Sequence, residues 1–281
     1  MTDVLTASEL LALEPVGPDL LRSIRNQDNR AGIIFGGQPL CQALAAARAT
    51  VPEWRAHNLS AVFLRPGNVA EPVDYAVERL RDGRHFAVRR VLARQSGRPI
   101  FDLLCSFHDP EDGEIHQRDG IAGVPLPEAA IGLGDFVAVN ADRLPLSLVE
   151  AVQRGFPVEL RLIDPDAAFF GASQDRARDF WFRMPSAQVI ADPLAHECLL
   201  AFASDYWLAG TASIGQRGDA AVASLNHNLW FHAPVDVGDW LLHRTDSPWA
   251  GAGRGLARGL IFDRGGRLVA SSAQEISLRR R

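Results

Sequence analysis

The stretch LNHNLWFH, residues 225–232, carries two histidines and two asparagines among large apolar side chains. Imidazole groups bind metals and exchange protons near neutral pH, so two histidines this close could form a metal site or an acid–base pair. In a β-strand, however, successive side chains point to opposite faces. His227 and His232 then lie on opposite sides of a sheet, and we predict that they share no metal ion.

Strand alternation also divides the other side chains of this stretch between two faces. The first predicted set is Leu225, His227, Leu229 and Phe231, and the second is Ser224, Asn226, Asn228, Trp230 and His232. Any chemistry at this strand therefore requires partners from other elements of the fold.

Several reaction classes are excluded by residues that the chain lacks. All 29 basic residues among the 281 are arginines, which excludes a Walker A loop and a Schiff-base mechanism. The nucleophile pattern G-x-S-x-G is absent, because Thr211 stands where the glycine before Ser213 is needed. The HECLL stretch is not a zinc-binding helix, since Leu200 occupies the position of the second histidine.

The composition favours a globular protein of the cytoplasm. The formal net charge is −5 and the arginines are scattered, so we expect no nucleic-acid partner. No apolar run is long enough for membrane insertion, and the first residues lack the basic start of a secretory signal. Cys41, Cys105 and Cys198 are far apart and set among apolar residues, which indicates reduced thiols.

The chain contains a degenerate repeat. Four pairs of identical residues are 168 positions apart, and one inserted residue then changes the spacing to 169. The pairs at 168 are Phe63 with Phe231, Pro66 with Pro234, Gly83 with Gly251, and Arg90 with Arg258; those at 169 are Gly97 with Gly266 and Arg98 with Arg267. The repeat predicts two structurally similar halves.

Each half contains an apolar helix followed by four strands. The helices are predicted at residues 36–51 and at 192–210, the second with Asp192 and Gly210 as its caps and apolar nearly all round. The strands are predicted at 57–65, 72–81, 86–95 and 99–108, and then at 222–232, 239–247, 254–263 and 267–278. Two further strands, at 156–164 and 178–184, precede the second helix.

A long antiparallel sheet curled around one apolar helix is the hot-dog arrangement. The repeated pattern therefore predicts an α+β fold of the double hot-dog type. We divide the chain into an N-terminal hot-dog at residues 1–110, a connector at 111–155 and a C-terminal hot-dog at 156–281.

The sequence resembles the acyl-CoA thioesterase II family over nearly its whole length. The similar motifs are FGGQ at 35–38, FLRPG at 63–67, RDG at 81–83 with RRV at 89–91, SD at 204–205, NLWFH at 228–232 and ASSAQE at 270–275. The resemblance implies a double hot-dog enzyme that hydrolyses acyl-CoA thioesters to free fatty acid and coenzyme A. It also implies that the protein forms a homo-oligomer and uses neither a metal nor an organic cofactor.

The resemblance further implies the catalytic residues. Family members hold a water between an Asp, a hydroxyl residue and a Gln, which match Asp205, Ser224 and Gln274. A carboxylate can accept the proton of water as a general base, and a hydroxyl with a carboxamide can hold that water for attack. The alternative is structural: each of these side chains could serve only to satisfy neighbouring polar groups.

Three more residues are expected to bind the substrate or its oxyanion. Gly36 and Gly37 open the first predicted helix, where backbone N–H groups lack partners within the helix and can bind an anion. His57 matches a family histidine ahead of a strand, and a surface position is its structural alternative.

Some residues depart from the family pattern near this predicted site. Ser224 stands where Thr is usual, Asn226 where Asp is usual, Asn228 where Ser is common and Ser60 where a His often lies. These departures keep open a non-catalytic acyl-CoA-binding protein as an alternative function. A hot-dog enoyl-CoA hydratase is less favoured, because its motif needs a histidine five residues after the Asp, where Gly210 stands.

Overall fold

The computed structural model describes residues 4–29, 32–170, 176–214 and 220–280. Its helices are α1 Ala7–Leu11, α2 Gly37–Arg48, α3 Leu133–Val139, α4 Leu146–Arg154, α5 Pro165–Phe169, α6 Ala195–Ser204 and α7 Leu208–Thr211. Its strands are β1 Leu13–Gly17, β2 Leu20–Ser23, β3 Arg55–Phe63, β4 Asp74–Asp82, β5 Phe86–Gln95, β6 Arg98–His108, β7 Ile131–Gly132, β8 Glu159–Leu162, β9 Ala177–Arg183, β10 Ala220–Ser224, β11 Asn226–Phe231, β12 Leu241–Gly251, β13 Arg254–Asp263 and β14 Leu268–Arg280.

The strands form one continuous antiparallel sheet with the repeat visible in its order. From edge to edge the order is β1-β2-β4-β5-β6-β3-β11-β14-β13-β12-β9-β8-β7, and β10 pairs with β14 beside β11. The central pair, β3 and β11, joins the halves, and the strand order on one side mirrors that on the other. The predicted double hot-dog is confirmed.

Helices α2 and α6 lie side by side on the inner face of this sheet. All ten residues of α6 are buried, as the nearly continuous apolar composition predicts. The two helices touch at Gly37, where an added Cβ would lie only 2.3 Å from the carbonyl oxygen of Phe202. Glycine at this position therefore permits the start of α2 to reach the last turn of α6.

The second central helix is shorter than predicted. It ends at Ser204 rather than Gly210, and Asp205 is its C-cap residue. Trp207 two residues later has φ of 63°, a left-handed conformation that interrupts the α-helical path before the separate helix α7 begins. Asp192 likewise does not cap the helix, whose first residue is Ala195.

The region predicted as a connector contains helices α3 and α4 and the short strand β7. Because β7 pairs with β8, this region also extends the edge of the sheet. The division at residues 111–155 stays a prediction. Within the described part of the chain, no helix combines the length and apolarity needed to cross a membrane.

Candidate active site

The three predicted catalytic side chains meet although they come from distant parts of the sequence. Gln274 of β14 donates from Nε2 to Asp205 Oδ1 at 2.7 Å and to Ser224 Oγ at 2.7 Å. Asp205 follows α6, and Ser224 ends β10. The amide group of Gln274 thus holds a carboxylate and a hydroxyl in fixed relation, and the three residues are called the site cluster below.

The Asp205 carboxylate lies against the first residues of α2. It accepts a hydrogen bond from the backbone N–H of Gly37. A Cβ added to Gly36 would lie 2.7 Å from Asp205 Oδ2, closer than nonbonded atoms can approach. The two glycines therefore allow the carboxylate to reach the positive end of the helix dipole, which favours its ionised form.

Burial has the larger effect on this carboxylate. Asp205 is only 7% exposed, and desolvation raises its pKa from 3.8 to about 6 despite the opposing hydrogen bonds from Gln274 and Gly37. At neutral pH the group is therefore mainly ionised, yet basic enough to accept a proton. A general base with a pKa just below the working pH has this property.

A β-bulge turns Ser224 into the interior, which corrects the predicted alternation. Ser224 pairs with Ile276 of β14, whereas Asn228 pairs with Ala273. From Ser224 to Asn228 is four residues, whereas their partners on β14 are only three residues apart. One extra residue therefore lies on the first strand, at Leu225 between β10 and β11. The prediction that Ser224 faces away from His227 is therefore wrong.

Asn226 stabilises this bulge. Its Oδ1 accepts the backbone N–H of Glu275 at 3.0 Å, replacing a backbone partner where the strand is irregular. The residue that departs from the family Asp thus has a structural contact beside the site cluster.

A cavity of about 700 Å³ opens onto the site cluster. Asp205, Ser224 and Gly36 line its wall, whereas Gln274 is fully buried behind them. Its apolar lining includes Ile33, Ile34, Phe63, Ile100, Phe101, Tyr206 and Trp207, and three arginines also border it: Arg65, Arg154 and Arg279. A molecule in this cavity could contact the carboxylate and the hydroxyl directly, with Gln274 acting through both.

The structure separates the residues that we predict to bind the oxyanion. The N–H of Gly37 is hydrogen-bonded to Asp205, and only Gly36 of the two glycines lines the cavity. His57 lies away from the site cluster, where its Nε2 is 2.8 Å from Ser106 Oγ and its ring packs against Phe86. Its strand is bulged between the neighbouring positions, so its side chain lies on the outer face with that of Ser106.

Sequence reasoning missed one residue of this region. His227, which alternation places among apolar neighbours, is completely buried and its Nδ1 lies 3.9 Å from Asp205 Oδ1. The signal was present, because a histidine inside an apolar strand face needs a polar partner. Among the described residues no three His, Cys, Asp or Glu side chains are grouped as metal ligands, and the expected absence of a cofactor stays a prediction.

Comparisons with known proteins show which proteins this chain is similar to. Sequence models described as the acyl-CoA thioesterase N-terminal and C-terminal domains match residues 25–108 and 136–278. Human acyl-coenzyme A thioesterase 8 is 34% identical, with 95% of this chain and 86% of that protein covered. Acyl-CoA thioesterase 2 of Haemophilus influenzae is 36% identical, with 98% of both chains covered. The crystal structure of acyl-CoA thioesterase II TesB2 from Mycobacterium marinum superimposes with a TM-score of 0.80 at 32% identity, covering 98% of each chain.

Proposed function

Because this chain belongs to the acyl-CoA thioesterase family, we propose that it hydrolyses acyl-CoA thioesters at the site cluster of Asp205, Ser224 and Gln274. The observation that carries the proposal is the pair of 2.7 Å hydrogen bonds from one amide nitrogen to a cavity-lining carboxylate and a cavity-lining hydroxyl. This arrangement provides a base and a water-positioning group beside the same space.

Asp205 acts as the general base in this mechanism. A water bound between its carboxylate and the Ser224 hydroxyl loses a proton to Asp205 as its oxygen attacks the thioester carbonyl carbon. Ser224 Oγ accepts from Gln274, so its own proton remains available to the water oxygen. Gln274 does not need to touch the water, because it fixes the two groups that do.

The tetrahedral intermediate then expels the thiolate of coenzyme A. The C–S bond breaks, the carbonyl re-forms, and the proton held by Asp205 passes to the sulfur or to solvent. Negative charge on the intermediate's oxygen needs a donor, and the backbone N–H of Gly36 is the candidate that borders the cavity. The reaction consumes one water and releases one carboxylic acid and one thiol.

The cavity lining suggests how the substrate lies. Its apolar wall suits an acyl chain, because burying each CH₂ contributes about 0.8 kcal/mol. Arg65 in the loop after β3, Arg154 of α4 and Arg279 of β14 suit the phosphates of coenzyme A. The predicted connector would thus contribute to binding, because Arg154 is the last residue of α4.

Release of free thiol from acyl-CoA by the purified protein tests the proposed function. We expect continuous release that survives a metal chelator. Measuring substrate affinity on the same sample adds a second readout. Binding without thiol release would overturn the proposal in favour of a non-catalytic acyl-CoA-binding protein.

The same assay can test the arginines when acyl-pantetheine, which lacks the nucleotide phosphates, replaces acyl-CoA. Arg154→Gln should raise KM for acyl-CoA several-fold and leave KM for acyl-pantetheine unchanged. Arg258→Gln is the matched control, because Arg258 is an exposed arginine paired with Asp246 on another part of the sheet.

We also propose that the protein works in the cytoplasm as a homo-oligomer. Three free, buried cysteines support a reducing compartment. The outer face of the sheet from β5 across β6 and β3 to β11 exposes Phe86 and Leu104 by 46% each and Trp230 by 41%, a surface suited to a second copy. Sedimentation of the wild type and of Trp230→Glu should show an oligomer that the substitution weakens.

A further inference from the structure

His227 is a buried polar side chain that the mechanism above does not use. It lies on β11 with no exposed surface, and its ring is placed between the end of α6 and the site cluster. Nε2 lies 2.9 Å from Ser204 Oγ, the residue directly before Asp205. Nδ1, on the other side of the ring, lies 3.9 Å from Asp205 Oδ1.

Two buried atoms at this point lack hydrogen-bond partners among the described residues: His227 Nδ1 and Gln274 Oε1. The Gln274 side chain nevertheless lies against the ring and favours its protonated form. A buried donor or acceptor without a partner costs about 1–3 kcal/mol, so these two atoms should satisfy each other. That is possible only if Nδ1 carries a hydrogen.

The surroundings of the ring determine which nitrogen is protonated. Burial lowers the pKa of His227 to about 4, so near neutral pH the ring carries a single N–H. If that hydrogen were on Nε2, the lone pair of Nδ1 would face two acceptors, the carboxylate of Asp205 and the amide oxygen of Gln274. With the hydrogen on Nδ1, both acceptors face a donor, and the Ser204 hydroxyl donates to Nε2 at 2.9 Å instead of to the carbonyl of Ala201, which lies 3.0 Å from the same oxygen.

We propose that His227 is a positioning residue, which uses its Nδ1–H to fix the orientation of the Gln274 amide. The amide oxygen is held toward the ring, and the amide nitrogen is then held toward Asp205 and Ser224, where it makes its two 2.7 Å hydrogen bonds. This role rests on the proposed function, because it matters for turnover only if those two residues act on water.

The nearby Nδ1–H also favours the ionised form of Asp205, so the pH dependence of turnover should report its loss. Other titratable groups that face this region are few. His243 of β12 lies behind His227, and the cavity is bordered by Asp28, Arg65, Arg154, Tyr206 and Arg279. None of these groups is changed in the experiment below.

Two substitutions of similar size separate the two ring nitrogens. In His227→Asn the side-chain amide reaches about as far as Nδ1 and can still donate to Gln274, but it cannot reach Ser204. In His227→Gln the amide reaches about as far as Nε2 and can contact Ser204, but the donor to Gln274 is lost. Both variants should lose similar stability.

We expect His227→Asn to retain kcat within about threefold, and His227→Gln to lose about 10-fold in kcat with KM unchanged, the scale of one positioning hydrogen bond. In the Gln variant the acidic limb of the kcat–pH profile should also move upward by at least about half a unit. Equal kcat and equal pH limbs in the two folded variants would show that His227 serves packing alone.

Nitrogen-15 spectra of the wild type with labelled histidine provide a measurement that needs no active variant. Through-bond correlations from the assigned backbone identify the ring of His227 without any substitution, and its nitrogen-15 shifts should show hydrogen on Nδ1. Hydrogen on Nε2 would overturn the proposal even if both variants fail to fold. This result is independent of whether the protein releases thiol, so a failure of the proposed function is distinguishable from a failure of this one.

Discussion

Each half of the molecule contains a bulged pair of antiparallel strands, called its frame below, but the side chains in the two frames differ. Immediately before the bulge of the second half, Ser224 pairs with Ile276. Immediately before the bulge of the first half, Ala56 pairs with Phe107. These pairs are related by 168 and 169 residues, the spacings of the sequence repeat, so the bulge itself is repeated.

Equivalent positions of the two frames carry different side chains. By the repeat spacing, Ala56 of the first half corresponds to Ser224 of the second, and Cys105 corresponds to Gln274. In the sheet, Arg89 lies opposite Cys105 as Ala257 lies opposite Gln274. The first half therefore has a methyl and a thiol where the second half has a hydroxyl and an amide.

Long charged side chains occupy the frame of the first half. Arg89 is 1% exposed and donates to Thr50 Oγ1 at 2.7 Å, just beyond the end of α2. Glu197, at the start of α6, accepts the N–H of Ala56 at 2.9 Å and pairs with Arg55 at 2.8 Å. Around the site cluster, the small residues Gly36 and Gly37 of the first half and Ala257 of the second half leave space. The fold thus supplies two similar frames, and the one with the smaller side chains borders the cavity.

The largest expected effect separates the carboxylates of the two frames. Asp205→Asn keeps size and a hydrogen-bond acceptor but removes the base, so kcat should fall by about 10²–10⁴ with little change in directly measured substrate affinity. Glu197→Gln, the matched change at the carboxylate that contacts Ala56 of the first half, should alter kcat less than about twofold and lower the free energy of unfolding by about 1–3 kcal/mol. Wild-type turnover in a folded Asp205→Asn protein would reject the mechanism.

The next effect comes from making the second half resemble the first at the bulge. Ser224→Ala removes one water-positioning hydroxyl and should lower kcat about 10-fold, whereas Ser224→Thr should keep most of the activity. Ala56→Ser, the reverse exchange in the first half, is the control and should leave kcat unchanged. If Ser224→Ala is as active as the wild type, the hydroxyl does not hold the water.

A comparable effect is expected from pH. Because only the ionised carboxylate accepts a proton and burial raises the pKa of Asp205 to about 6, kcat at pH 5 should be about one tenth of its plateau value. A kcat–pH profile with a limb near pH 4 would contradict the buried base.

The same pKa shift predicts that the stability of the fold falls as pH rises, whereas kcat rises. A folded-state pKa above the unfolded value of 3.8 means that the folded protein binds the proton more tightly, so stability falls as pH rises from about 4 to 6. The cost at neutral pH is at most about 3 kcal/mol. Asparagine does not titrate, so the unfolding free energy of Asp205→Asn minus that of the wild type should rise over this pH range. Denaturant titrations at several pH values can measure this difference.

The smallest effect on turnover should come from the arginine of the first half. Arg89→Met removes hydrogen bonds to Thr50 and to the carbonyl of Arg81, so we expect a loss of about 1–3 kcal/mol in unfolding free energy. Turnover should stay within about twofold, because none of these groups lines the cavity. A large loss of kcat at unchanged stability would show that Arg89 influences turnover at the site cluster.

Much of the fold can be predicted from the sequence, because strands β3–β6 and β11–β14 bury one face and therefore alternate. The all-apolar composition of α6 likewise indicates a central helix. Strand β1 is mostly exposed and carries no such alternation, so sequence patterns do not reveal it. The end of α6 depends on the left-handed backbone at Trp207, which its residue type does not favour.

The site is less accessible to sequence reasoning than the fold. The identities of Asp205, Ser224 and Gln274 follow from the family resemblance, but their contacts depend on strand register. The inward orientation of Ser224 needs a bulge that exists only relative to β14, so no pattern within its own strand reveals it. The involvement of Gly37 with Asp205 depends on the close approach of two helices.

The extra residue at Leu225 changes the parity of the strand. Before it, the even-numbered Ser224 lines the cavity, and after it the buried residues, such as His227 and Leu229, are odd-numbered. Deleting one residue here would leave every catalytic residue type in the chain and still remove either the hydroxyl or the imidazole from the interior. We therefore expect activity to depend on the number of residues in this strand as well as on their types, so that a one-residue deletion removes turnover while Asp205, Ser224 and Gln274 all remain in the chain.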